Sequence, residues 1–97
     1  MLERLMIPSL FQLGQIVATP GAIDALERAG QSEIDYLARH VGGDWGDLDQ
    51  EDREANDLAL SDGTRLLSAY RLPTGDKLWI ITEHDRSATT LLLPSDY

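Results

Sequence analysis

At Arg65 the spacing of apolar residues changes from the three-to-four-residue period of a helix to the two-residue period of a strand. The stretch before this point should therefore end in helix and the stretch after it should form sheet. C-terminal of the change, LLSAYRL, KLWIIT and TTLLL are rich in leucine, β-branched and aromatic residues and are bounded by turn signals, which predicts a three-stranded antiparallel meander. Pro73-Thr74-Gly75-Asp76 suits the first connection, with Pro at the second turn position and Gly where a positive φ is needed. The second connection, HDRSA, is less regular. Leu66, Leu72, Leu78, Ile80, Leu91 and Leu93 are the expected core face, and Pro94 ends the last strand.

N-terminal of Arg65, capping residues set the boundaries. Phe11 to Ala18, FQLGQIVA, reads as a strand that stops at Thr19, a good N-cap, with Pro20 at the first helical position where its missing N–H costs nothing. A helix should run from Pro20 to about Ala29, end at Gly30, and bury Ala22, Ile23, Leu26 and Ala29. Ser32 and Asp35 resemble a capping box and open a second helix, with Ile34, Leu37, Ala38 and Val41 on one face and Gly42-Gly43 as its stop. A third helix should begin at Asp47 or Asp49 and end near Asp62 before Gly63, held by a thin seam of Leu48, Ala55, Leu58 and Ala59. The order β-α-α-α-β-β-β predicts an α+β domain with its helices on one face of an antiparallel sheet, to which residues 11–18 add an edge strand. In 97 residues there is room for one modest core, expected over 11–97. Residues 1–10, MLERLMIPSL, are broken by Glu3 and Pro8 and are expected to form a loosely held extension rather than a leader.

The charge is concentrated in one place. Between Asp44 and Asp62 eight carboxylates accompany a single base, Arg53, so this stretch carries most of the net charge of −9. Such a chain is repelled by phosphate backbones and anionic lipid, and Arg65, Arg71, Lys77 and Arg86 are too scattered to make a basic patch. Neither direct nucleic-acid binding nor membrane association is expected. The absence of cysteine excludes disulfides, thiolate zinc sites and cysteine nucleophiles, and fits a cytoplasmic, reducing compartment.

Catalytic and metal patterns fail on spacing. Counting from Asp47 puts acids at the first, third and fifth places of a calcium loop, but Asp52 stands where the loop needs glycine. His84, Asp85 and Ser87 are too close in sequence to converge as a triad, no Gly-x-Ser-x-Gly elbow exists, and His40 and His84 lack a third ligand. No cofactor, metal or catalytic residue is assigned. Asp85, Ser87 and Thr89 are expected to satisfy turn amides, with Arg86 exposed or paired to a carboxylate. The candidate partner-binding residues are Trp45, Asp47, Glu51, Glu54, Asp57, Trp79 and Arg86. Trp45 reads first as a plug between helix and core, while Trp79, opposite in phase to Leu78 and Ile80, marks either a second packed layer or an interface. Acids on a helix over 49–62 recur about every 3 Å, near the phosphate spacing of one DNA strand, although they wrap around the helix.

The segments GQIVATPGA, HVGGDWGDLD, RLLSAYRL and WIITEHDRSATTLLLP together resemble a family of small bacterial proteins of plasmids and integrated mobile elements. The resemblance covers Phe11 to Tyr97. Its members generally begin near the residue equivalent to Phe11, so residues 1–10 depart from the pattern. Some members carry the label of a type I restriction modification subunit, but the glycine-rich cofactor loop and Asn-Pro-Pro-aromatic motif of such a methyltransferase are missing here. The resemblance implies a setting on mobile elements and no mechanism. The expected function is a non-enzymatic protein-interaction module that binds a protein partner or itself. The alternatives are an acidic inhibitor or DNA-mimic decoy of a nucleic-acid-binding protein, and an enzyme with an unrecognised site.

Overall fold

The computed structural model describes residues 9–97 and shows an α+β architecture of three helices and a four-stranded mixed sheet, with the first two helices on one face and the third at an edge, not all three on one face as expected. Strand β1 (Gln15–Ala18) leads into helices α1 (Pro20–Ala29), α2 (Glu33–Val41) and α3 (Gln50–Asp62), and then into strands β2 (Leu66–Arg71), β3 (Lys77–Thr82) and β4 (Ala88–Leu92). The expected meander is present, with β2 antiparallel to β3 and β3 antiparallel to β4. The fourth strand departs from the all-antiparallel expectation: β1 lies parallel to β4, giving the order β1-β4-β3-β2. Three helices separate β1 from the meander, and so long a crossover can return the chain in the same direction where a hairpin cannot.

Capping chemistry places the helices where the sequence predicts them. Thr19 accepts from the Ala22 N–H, Ser32 from the Ile34 N–H rather than in the expected box with Asp35, and Asp49, rather than Asp47, from the Asp52 N–H. At the β2–β3 turn the Gly75 N–H donates to the Leu72 carbonyl at 2.8 Å, which seats Pro73 at the second position as expected.

Sheet register assigns the two faces. Leu66, Ser68 and Tyr70, Leu78, Ile80 and Thr82, Thr89 and Leu91, and Ile16 and Ala18 share the helix-covered face. Of the expected core, Leu66, Leu72, Leu78, Ile80 and Leu91 are buried, and Leu93 packs against them half-buried. The helices are turned relative to their expected faces. Helix α1 buries Ala22, Ala25 and Leu26, the small alanines permitting close approach, and leaves Ile23 half-exposed. On α2, Leu37 and Val41 are buried with Tyr36 and His40, while Ile34 is 69% exposed. The seam of α3 is corrected most: Ala59 is buried as expected, but its companion is Asn56, and Ala55 and Leu58 face solvent. Helix α3 packs at the β2 edge rather than on the sheet face, so it needs a narrow contact with a polar centre.

The expected 1–10 extension lies outside the described residues except for Ser9 and Leu10. Leu10 is tied in, its N–H donating to the Val41 carbonyl at 2.9 Å. Phe11, expected to begin β1, instead sits before the strand and stacks on Trp45 and edge-on to His40, with ring centroids 6.3 and 5.2 Å away. No helix among the described residues is long and apolar enough to cross a membrane.

Candidate functional site

The acidic stretch wraps the outer edge of β2. Trp45 is 4% exposed, its ring packed with Ala59 and Leu66 and its indole N–H donating to Asp57 at 3.2 Å. The chain then runs beside β2: the Ala69 N–H donates to the Trp45 carbonyl at 3.1 Å and the Asp47 N–H to the Ala69 carbonyl at 2.6 Å. Gly46 between them has φ +77°, and a Cβ there would run into the Ala69 carbonyl, so no other residue fits the approach. Two turns into α3, Asn56 donates to the Leu67 carbonyl and accepts from the Leu67 N–H, at 2.6 and 3.1 Å. A side-chain amide here does what a neighbouring strand would do. Arg53, the lone base of the stretch, donates to the carbonyls of Gly46 and Leu48 and holds the loop to the helix.

Beyond this edge, the first turn of α3 and the open face of the sheet enclose a cleft of about 320 Å³. Asp47, Asp49 and Asp52 line one wall, and Leu67, Lys77 and Trp79 the other. Trp79 is half-buried, edge-on to Tyr97 at 5.9 Å, and Tyr97 in turn accepts a hydrogen bond from Arg65 at 3.0 Å. Asp47 also lies 3.9 Å from Arg71, a pair in which both side chains are 61% exposed, which is worth little in energy. The arrangement is an aromatic platform beside three carboxylates. Such a site suits the alkyl stem and charged head of a lysine or arginine side chain, the stem against the indole face and the head towards the acids.

The seven candidate residues thus separate. Asp47 and Trp79 meet in the cleft, with Asp49, Asp52 and Lys77 as neighbours that the sequence reading did not single out. Glu51 and Glu54 project into solvent from α3. Trp45, Asp57 and Arg86 are structural. Trp45 is the plug its first reading described, and Asp57 accepts its indole proton. Arg86, with φ +61°, pairs with no carboxylate among the described residues and instead donates to the carbonyls of Ala59, Thr64, Glu83 and His84, which ties the β3–β4 turn to the last turn of α3. Polar residues in phase with core positions are the signal by which Asn56 was findable.

A second polar cluster lies beneath the helices. His40 Nδ1 is 2.6 Å from Ser68 Oγ, and its Nε2 is 2.9 Å from Thr82 Oγ1. Thr82 Oγ1 is 2.7 Å from Thr89 Oγ1, and Thr89 donates to the Leu13 carbonyl at 2.7 Å. The carbonyl at the end of the chain can only accept, which fixes every proton: Thr82 donates to Thr89, His40 Nε2–H to Thr82, and Ser68 to Nδ1. The neutral imidazole is fully used, and burial pushes its pKa down to about 4. His40, Ser68, Thr82 and Thr89 are all at 0% exposure, so this Ser–His pair meets no substrate and its role is to join α2 to three strands. His84, by contrast, is exposed in the β3–β4 turn. Among the described residues no group of three or more His, Asp or Glu side chains is placed to hold a metal ion.

Compared with known family models, curated proteins and solved structures, the chain matches none.

Proposed function

We propose that the protein is a non-enzymatic interaction module of plasmids and other mobile genetic elements, acting in the cytoplasm by docking a basic segment of a protein partner. The genomic setting rests on the resemblance of four segments between Gly14 and Pro94. The interaction rests on one observation: Trp79 lines a cleft whose opposite wall carries Asp47, Asp49 and Asp52. A half-buried indole beside three exposed acids favours a cationic protein side chain over a polyanion or an anionic lipid. The decoy reading has less behind it, because Asp49 caps α3 and Asp57 serves Trp45, which interrupts the row of acids.

The test is a fluorescence titration with a short Lys/Arg-rich peptide. Trp45 is buried, so a change in emission at the accessible indole reports on Trp79. The expected result is a saturable, salt-sensitive change, absent with duplex DNA and abolished in the triple variant Asp47→Asn, Asp49→Asn, Asp52→Asn. Asparagine keeps the cap at position 49, so loss of binding there is not loss of fold. An unchanged spectrum at millimolar peptide in low salt sinks the reading.

A further inference from the structure

We infer that a second copy of this chain docks on the outer edge of β1, joining two four-stranded sheets into one continuous sheet about a two-fold axis at Val17. This surface is separate from the Trp79 cleft, and either can fail without the other.

The first observation is the state of the backbone. In a parallel ladder alternate residues turn both their peptide groups to the neighbour. The Gln15 N–H donates to Ser87 and the Thr19 N–H to Leu91, so residues 15, 17 and 19 face β4, and Ile16 and Ala18 turn their N–H and C=O groups outward. No described residue hydrogen-bonds to those outward groups, whereas the opposite edge of the sheet is closed at Leu67 and Ala69. Unpaired strand edges are usually protected by lysine, proline, a bulge or a covering segment, and Gln15–Ala18 has none of these within it.

The second observation is charge. Two bodies of charge −9 repel wherever their acids face each other, yet residues 9–23 contain no charged residue at all. The bare edge lies inside this neutral stretch, at the opposite end of the sheet from the edge that acidic α3 covers. A strand of the same neutral sequence therefore fits where the acidic segments of this chain do not.

The third is self-complementarity. Outward residues must meet outward residues, so antiparallel self-pairing about Val17 sets Ile16 against the second copy's Ala18 and forms four backbone hydrogen bonds inside the strand. Pro20, which has no N–H, and Gly14, whose φ of +66° ends the extended run, limit the pairing to this short register. On the open face the two Val17 side chains, each 43% exposed, become direct neighbours. On the helix face Ile16, 50% exposed, borders an apolar groove of about 290 Å³ beneath Ile34 and Leu37, and the second copy's Ala18 extends it.

So small a contact gives a weak dimer, with a dissociation constant of about 10–100 µM. Sedimentation equilibrium and light scattering of the full chain from about 1 µM to 1 mM should show the mass rising from 10.8 kDa towards twice that value. The rise should steepen with added salt, which screens the like charges. Val17→Lys puts two charges on the axis, and Ile16→Pro removes an outward donor without touching the ladder to β4; both should stay monomeric with the circular dichroism of the wild type. Amide exchange at Ile16 and Ala18 should slow with concentration in the wild type alone. A wild-type mass that stays at 10.8 kDa overturns the proposal, and so does a dimer that persists in folded Val17→Lys.

Discussion

The two edges of the sheet are solved in opposite ways. At β2 the backbone is closed by a parallel run of chain at 45–47 and by the amide of Asn56, with Arg53 and Arg86 fastening the helix that carries them. At β1 the described residues leave the backbone open, and Ile16 and Val17 are half in solvent. The difference teaches where the acidic stretch earns its place in the fold. Seen from sequence it is a charged surface, but its Trp45, Gly46, Asp47 and Asn56 are a substitute for a fifth strand. Among the described residues the β1 edge has no such substitute, and that is why substitutions at the two edges should have unequal consequences.

The largest expected effect is at Trp45. Replacing it with Ala removes the ring that packs against Phe11, His40, Ala59 and Leu66 and leaves a large void, costing about 4 kcal/mol of stability. Trp79→Ala, at a half-exposed position, should cost about 1 kcal/mol. Chemical denaturation of both variants checks the contrast; equal costs would mean that the sealed corner is no more essential than the open sheet face.

Next in size is a pH effect located in the same corner. His40 is flanked by Phe11 and Trp45, hydrogen-bonded to Ser68 and Thr82, and its burial keeps it neutral in the folded state down to about pH 4. Unfolded, it takes up a proton near its ordinary value of 6.5. Below that pH the unfolded chain binds a proton that the folded chain does not, so stability falls as pH falls from about 6.5 to about 4, by roughly 3 kcal/mol in total. The carboxylates held down by hydrogen bonds act in a different window. Asp44, lowered by Arg39, Asp85, lowered by Ser87, and Asp96, lowered by Thr19, add stability above the ordinary carboxylate range and lose it only as pH falls below that range. Thermal melts from pH 7.5 to 4.5 should therefore slope downward in the wild type and in His84→Gln, but run nearly flat in His40→Gln, whose amide can still donate to Thr82 and accept from Ser68. A slope unchanged in His40→Gln would put the titrating group elsewhere.

These contrasts also show what the sequence made legible. Helix ends were readable because caps are local: Thr19-Pro20, Ser32, Asp49 and the closing glycines act within one turn of chain. The alternating core of β2, β3 and β4 was readable because strand phase is fixed by pleating. The parallel pairing of β1 was not, since nothing within Gln15–Ala18 records which distant strand it will join. The rotation of α3 was hidden for a related reason. Its apolar residues suggested a seam through Leu58, whereas the actual contact is an amide aimed at a strand edge 11 residues away in sequence. The cleft was half legible: Asp47 and Trp79 were singled out separately, but only the tertiary fold brings them to one space.

Asn56 gives the third test of the comparison between edges. Asn56→Ala leaves the N–H and C=O of Leu67 without their partner in a buried seam and should cost about 2 kcal/mol. Gln15→Ala on the bare edge removes only an exposed side chain and should stay within about 0.5 kcal/mol of the wild type. Hydrogen exchange sharpens the result, because the Leu67 amide should lose protection in Asn56→Ala while amides of β3 and β4 keep theirs. Uniform loss across the sheet would mean that the amide supports the whole fold rather than sealing its edge.

The smallest expected effect concerns the acids on the outside of the sealed edge. Glu51 and Glu54 are exposed, with Glu54 only accepting from the Gln50 side chain, and Asp57 accepts the indole proton of Trp45. Changing the three together to Gln, Gln and Asn keeps an acceptor at position 57 and removes three like charges from a crowded helix. Exposed carboxylates contribute little individually and their repulsion opposes compaction, so the thermal midpoint should stay level or rise slightly, within about 0.5 kcal/mol. The same variant should keep its response to a Lys/Arg-rich peptide, since Asp47, Asp49 and Asp52 remain in the cleft, while dimerisation at β1 should strengthen modestly as the net charge falls. A large drop in midpoint would show that these acids belong to the seal itself, and the division of α3 into a structural inner face and a free acidic outer face would have to be given up.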